Sequence, residues 1–599
     1  MGGNVRKVLI LLVFIILASP TYAHQYKTDK VLIGINPNEE LLSVVYYITF
    51  GQDEFVIHRE KYLRDVDAYF GKYKDHEAIQ ALKQYFSDAK TVPQRDYKLF
   101  VLDAYVLQFS SPPEMRRLHT EWQDPELDKI VNALRKFAQD TNFMKFFKAH
   151  ESYYEQDLEV YASAIQLLPP DEFMKPYMNL TNTKFEFHLP YLVCIHGHSF
   201  YREENGTKIY GSGGIPPLVR RAPPRTLWSL ERAKDTIFGL PLNAVYVNNR
   251  KFDELWVLDF IYHELGHDIT NEKLEEYYGY KVRPLRYLED TIEDDMPYLA
   301  IYDIHFWFDT MMIYESFADG WAYFALSHID KDYAEWSLQM QKAWGEFWQD
   351  YMIELYQKYT ALSLEENKTF DEYVYKMLDD LAKKVPPEKA KELYEKNVPI
   401  TPLRALDDVV KEGEVIIVYG TQNPDKKGSE YDRETAEIVK SYLETFYSQW
   451  PGDIKIEVKA DVNLTDEDLR KDLILIGGPV SNKVVQQFED YFPLRFVFEN
   501  GIWVLEKNPD FGSVRTFVIT PDNIKEVSFT ELSYTSPQTS LLLAIRNPLK
   551  KDNYIVWIAG VDRYSTRRYR NPTYYLVSYE IYNGEKIEDG FYVQPLLSS

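Results

Sequence analysis

Asp253-Glu254-Leu255-Trp256-Val257-Leu258-Asp259-Phe260-Ile261-Tyr262-His263-Glu264-Leu265-Gly266-His267 is the stretch on which the reading of this chain turns. Leu255, Leu258, Tyr262, Leu265 and, further on, Ile269 recur at helical spacing, which predicts an amphipathic helix with one buried stripe. Asp253 is placed to cap its N-terminus, and Glu254 stands in the first turn, where the helix dipole favours an anion. His263 and His267 lie one turn apart on one face, so both imidazoles can reach a single metal ion. Glu264, beside the first histidine, can take a proton from a water on that ion.

Two histidines do not complete a catalytic zinc site, which takes three protein ligands and keeps one position for water. One known solution sets a third histidine just downstream, as HExxHxxGxxH. Thr270 and Lys273 occupy the positions of that glycine and histidine, which excludes the class. Another solution takes a glutamate from a second helix, and Tyr314-Glu315-Ser316-Phe317-Ala318-Asp319-Gly320-Trp321-Ala322 fits it. Glu315, Ala318, Asp319 and Ala322 share a helical face, and the alanines allow two helices to meet closely. Asp319, one turn past Glu315, can accept the free N–H of a ligating histidine and fix its tautomer. Competing third ligands are the acidic run Glu289-Asp290 and Glu293-Asp294-Asp295, and His305. Such runs are usually solvated faces. His305 and Tyr302 are also candidate donors to the oxyanion of a tetrahedral intermediate.

With His263, Glu264, His267, Glu315 and Asp319 in place, the chain resembles the gluzincin class of zinc metallopeptidases, to which thermolysin belongs. It is most similar to a group of secreted HExxH proteins of that clan. The stretch Ile35-Asn36-Pro37-Asn38-Glu39-Glu40-Leu41-Leu42-Ser43-Val44-Val45-Tyr46 and Asn271 carry that finer likeness. The resemblance covers residues 30–400, with the two metal motifs as its specific parts. It implies Zn2+ held by His263, His267 and Glu315, with Glu264 as general base and acid in peptide hydrolysis and Asp319 behind a ligand histidine. Two alternatives stay open: an inactive zinc-site protein serving as an extracellular binding module, and a zinc hydrolase acting on non-peptide bonds.

The N-terminus sets the compartment. Arg6-Lys7, an apolar run of 11 residues from Val8 to Ala18, and Ser19-Pro20-Thr21-Tyr22-Ala23 predict a signal peptide over residues 1–23. The run is well short of the ~20 residues that span a bilayer. The expectation is a secreted, extracellular protein with no membrane span once the signal is removed. Cys194 is the single cysteine, so no intramolecular disulfide can form. Net charge is −25, from 68 basic and 93 acidic residues. That balance argues against nucleic acid or an anionic membrane as the main partner; a peptide or protein substrate is what the resemblance implies.

The expected fold class is α+β. A mainly helical metallopeptidase domain with a short sheet occupies residues 24–408, with a helical part at 24–175, a catalytic core at about 176–330 and a helical extension at 331–408. Its long amphipathic stretches include Asp75–Ala89 and Leu127–Phe147, and Leu242–Val247 reads as a strand just ahead of the metal helix. At Gly413 the pattern changes to strand–helix alternation, beginning with Val415-Ile416-Ile417-Val418-Tyr419-Gly420. This predicts an α/β C-terminal domain over residues 413–599 with a parallel, flavodoxin-like sheet. Gly477-Gly478-Pro479-Val480-Ser481-Asn482 joins a strand to a helix there, with Ser481 as the expected cap. It matches neither GxGxxG nor GxxxxGK[ST], so a tight turn is the preferred reading over a phosphate loop. Cys194, His196 and His198 alternate and would share one strand face, a weaker candidate for a second metal cluster.

Overall fold

Val31–Ile35 is an apolar strand that stops where Asn36 and Pro37 begin a helix, and this junction sets the first half of the molecule. The computed structural model describes residues 25–28, 30–53, 55–57, 59–90, 92–118, 122–193, 197–204, 206–213, 236–237, 240–241, 250–300, 310–448, 450–508, 511–530, 533–573 and 575–594. The expected signal peptide, Leu242–Val247, Cys194, His196, Tyr302 and His305 lie outside the described residues.

Five strands form the first sheet: β1 (Gln25–Lys27), β2 (Val31–Ile35), β3 (Thr183–Leu189), β4 (His198–Glu204) and β5 (Thr207–Gly213). Their order is β1-β2-β3-β5-β4, with β2, β3 and β5 parallel and the two edge strands antiparallel to their neighbours. The long connection from β2 to β3 is helical and includes α1 (Pro37–Phe50), α2 (Val92–Val106), α3 (Pro125–Thr141) and α4 (Glu151–Leu167). The Asn36 side chain accepts from the Asn38 N–H and Pro37 takes the first helical position, so the chain turns directly from strand to helix. The expected Leu127–Phe147 helix is broken at Asn142, whose φ of 53° ends α3 in the left-handed region. A short antiparallel pair, β6 (Thr236–Ile237) and β7 (Leu240–Pro241), follows the first sheet.

The quoted stretch lies in α5 (Arg250–Glu276), a helix of 27 residues. It starts three residues before the expected cap, so Asp253 sits in the first turn, where it still complements the dipole. α5 packs along α6 (Met311–Leu326), and also on α4, β4 and β5. α6 is nearly all apolar, is buried on most sides, and rests against α7 (Lys331–Ala343) and α8 (Gln349–Glu366).

The remaining strands are β8 (Glu414–Tyr419), β9 (Lys455–Ala460), β10 (Asp472–Ile476), β11 (Leu494–Glu499), β12 (Ile502–Lys507), β13 (Arg515–Ile519), β14 (Ile524–Val527), β15 (Ser540–Arg546), β16 (Tyr554–Gly560), β17 (Tyr579–Tyr582) and β18 (Ile587–Phe591). Nine of them form a sheet in the order β14-β13-β18-β17-β15-β16-β10-β8-β9. β9, β8, β10 and β16 are parallel, and every pairing from β16 through β15 to β14 is antiparallel. The sheet is therefore mixed, where alternation had suggested a parallel one. The reason lies in the connections. α10 (Lys426–Tyr447) crosses over between β8 and β9, whereas β13–β14, β15–β16 and β17–β18 are joined by links too short for a crossover. β11 and β12 stand apart as a hairpin turned at Asn500-Gly501, with φ of 52° and 85°.

α9 (Pro402–Glu412) joins the two halves. It buries Leu403, Leu406 and Val409, and it packs on β8, β15 and β16. The Ile400 and Leu403 N–H groups donate to the carbonyls of Tyr592 and Tyr575. Buried Arg404 pairs with Asp295 at 2.7 Å and with Glu395 at 3.4 Å. The apolar interior runs continuously from β2 to β18. Among the described residues no helix is long and apolar enough to cross a membrane.

Candidate metal centre

Close approach of α5 and α6 builds the site. Gly266 faces Ala318, and a Cβ there would stand 2.8 Å from the Ala318 Cα and 3.0 Å from its carbonyl oxygen. Glycine inside HExxH and alanine between Glu315 and Asp319 thus let the two backbones touch. His263 and His267 then point at Glu315 from one side. His263 Nε2 lies 3.2 Å from His267 Nε2 and 3.2 Å from Glu315 Oε2, and His267 Nε2 lies 3.6 Å from the same oxygen.

That triangle fits a tetrahedral ion. Bonds of about 2.0–2.1 Å from zinc to nitrogen and oxygen give tetrahedral edges of about 3.3–3.4 Å. The other ring nitrogens are already engaged: His263 Nδ1 with Asp319 Oδ1 at 2.7 Å, and His267 Nδ1 near Asn271 Oδ1 at 3.4 Å. With the protons on Nδ1, an Nε2 lone pair on each ring would face the carboxylate, and a cation in the middle could take all three in place of a proton. Electrostatics agree. Burial opposes a charged His263, yet Asp319 and Glu315 hold its pKa well above the usual imidazole value. Burial also opposes an ionised Glu315, and the two histidines still hold its carboxyl well below the usual range. The site attracts positive charge.

Glu264 is 5% exposed and lies on the same helix, one residue from His263. Asp268, one turn further, accepts from the Gly211 N–H of β5 and so ties α5 to the sheet. Burial first, then the Glu264 charge, pushes Asp268 well above the carboxylate range. Behind Asp319 stands Glu346, 2% exposed and hydrogen-bonded to it. Burial, Asp319 and Glu315 together raise the Glu346 pKa. Neither Asp268 nor Glu346 was singled out from the sequence. Asp268 had a signal, four residues from Glu264 on one helix face; Glu346 belongs to the turn after α7 and had none.

The competing acids are engaged elsewhere. Glu289 is fully buried and accepts from the Thr310 and Met312 N–H groups, capping α6. Asp290 and Glu293 pair with Arg286, Asp295 pairs with Arg404, and Asp294 is exposed. In the C-terminal sheet, Asn482 and not Ser481 caps the helix after β10. Its side chain donates to the Val418 and Ile476 carbonyls, and a Cβ on Gly420 would lie 2.2 Å from the Ser481 carbonyl oxygen. The chain itself fills the crevice between β8 and β10 where a phosphate would sit. Compared with models of known protein families, with curated proteins and with solved structures, the chain matches none.

Proposed function

We propose that this chain is a secreted zinc metallopeptidase of the gluzincin type. The metal-binding region spans residues 24–408, and residues 413–599 form a domain packed on it. The observation that carries the reading is the triangle of two imidazole nitrogens and one carboxylate oxygen, with edges of 3.2, 3.2 and 3.6 Å. His263, His267 and Glu315 would hold the ion. When bound, zinc polarises a carbonyl and lowers the pKa of its water toward ~7.

The protein residues divide the remaining work. Glu264 stands beside His263 and is too deeply set for an ordinary surface acid; it takes the proton of the attacking water and delivers it to the leaving amine. Asp319 accepts from His263 Nδ1 and keeps Nε2 aimed at the ion. Asn271 faces the corresponding nitrogen of His267. The N-terminal charge pattern and apolar run support export, and the acidic surface suits a protein working outside the cell.

Hydrolysis of an unfolded protein such as casein tests the reading. The expected result is cleavage that a chelator abolishes and zinc restores, and that Glu264→Gln lowers by ~10²–10⁴-fold while the variant still binds zinc. Near wild-type cleavage by Glu264→Gln would remove the peptidase assignment.

A further inference from the structure

Glu39 stands in the first turn of α1 and Asp103 near the end of α2, and both side chains are 0% exposed. Carboxylates are almost never buried so completely unless they are paired. These two are paired with each other, their carboxyl groups in hydrogen-bond contact. None of their four oxygens receives a hydrogen bond from any other group of the protein. Ionised carboxylates offer only acceptors, so the contact needs a proton between them.

The surroundings favour keeping that proton. Burial first, then Asp103, holds Glu39 well above the carboxylate range, and burial pushes Asp103 up to about 8. On α1 the neighbouring Glu40 adds a further negative charge, its own oxygens engaged by the Tyr62 hydroxyl at 2.7 Å and the Tyr191 N–H at 3.0 Å. On β3, His188 Nδ1 lies 4.0 Å from Glu39 Oε2, beyond a hydrogen bond, and its Nε2 lies 3.5 Å from Glu186 Oε2. His198 of β4 approaches across Gly213, where a Cβ would meet its Nε2 at 2.9 Å and Glu39 Oε1 at 3.5 Å. Among the described residues no lysine or arginine acts on either acid.

We infer that Glu39 and Asp103 form a proton-sharing latch between α1 and α2, closed while the proton is held and opened by its loss in alkali. Free Asp and Glu titrate near ~3.9 and ~4.3. Above those values the unfolded chain has released its protons and the folded pair has not. The stability that the latch gives is therefore full below about 4 and is lost as pH rises to the point where the pair ionises. Two charges then face each other with no donor, and they reach water only if the helices part. The opening lies beside Gly213, two residues along β5 from Gly211, whose N–H bonds Asp268 of α5. The latch thus sits against the strand that is tied to α5, and it does not rest on the zinc reading.

Hydrogen–deuterium exchange of the full chain from pH 5 to 10, with chelator present, tests the latch. In the parent, once the chemical exchange rate is divided out, opening of peptides 37–50 and 92–106 should rise by at least about tenfold per pH unit between pH 5 and 8, one proton's worth, and level off above. The variant carrying Glu39→Gln and Asp103→Asn replaces the proton by amide N–H groups, and its opening should be nearly flat with pH. Asp103→Asn alone, which leaves one acid and supplies it with a donor, should rise less steeply than the parent. Circular dichroism at pH 6 checks that each variant is folded, and the single variant decides the matter if the double one is not. A flat pH dependence in the parent, or the same steep rise in the folded variants, would overturn the inference.

Discussion

Asp319 makes the shortest contact in the candidate metal centre, 2.7 Å to His263 Nδ1, and under the proposal it does so without touching the ion. Its removal should therefore cost less than removal of a ligand. Asp319→Ala is expected to lower zinc affinity ~10–100-fold, the range typical of a carboxylate behind a ligating histidine. Glu315→Ala should lower it by orders of magnitude more, because two nitrogens remain where three donors stood. Glu293→Ala should leave affinity unchanged, since that side chain pairs with Arg286. Zinc titration of the three variants ranks them, and normal affinity in Glu315→Ala would sink the three-ligand assignment.

Elements matter because the proposed ion would sit between two helices. Gly266→Ala places a methyl group 2.8 Å from the Ala318 Cα, and backbone cannot step aside as a side chain would. The variant is expected to push α5 from α6, lowering stability by about 1–3 kcal/mol, as overpacking does. Zinc affinity should fall with it, because His263 and His267 move relative to Glu315. Gly279→Ala is the control: nothing lies within 4 Å of its missing Cβ, so melting temperature and zinc binding should match the parent. Equal behaviour of the two variants would mean that the close approach does not govern the site. Glu289 acts at the same level. It satisfies two N–H groups at the start of α6, and Glu289→Ala should cost about 1–3 kcal/mol by leaving them unpaired.

At the scale of the molecule, the halves share their interior. A chain ending at residue 408 would cut α9 and expose Leu403 and Leu406, and it would lose the Trp336–Asp589 hydrogen bond and the Arg546–Glu395 pair. It keeps every proposed zinc ligand. The expectation is a lower Tm and dye-binding apolar surface, with zinc still bound by the fraction that folds; a truncated chain melting like the full one would show that the shared core is dispensable. Buried acids add a pH dependence. Burial pushes Asp432 up to about 7 against the pull of Arg567 and Arg563. An unfolded aspartate titrates near ~3.9. Between those values the folded chain keeps a proton that the unfolded chain has lost, so this group lowers stability as pH rises from about 4 to 7 and adds nothing further above. Asp432→Asn should gain stability relative to the parent across that window in denaturant melts with chelator present. A difference that is flat with pH would remove Asp432 as the cause.

Sequence alone determined what is local. The apolar period around His263 predicted a helix because side chains three and four apart must share a face. The pairing of Glu315 with Asp319 was legible for the same reason, and so was the strand character of Val415–Tyr419. Helix ends were read less well: Asn142 splits an expected helix, and Asn482 takes the cap expected of Ser481, since both depend on one residue's backbone angles. Tertiary structure alone decided what depends on distant partners. That Glu289 caps a helix, that Glu346 backs Asp319 and that Asp268 bonds β5 follow from elements far apart in the chain. The antiparallel half of the large sheet was hidden likewise, because alternation of strand and helix fixes a crossover only where a helix intervenes. The acids Glu39 and Asp103 stand on two helices far apart in the chain; only packing buries them together.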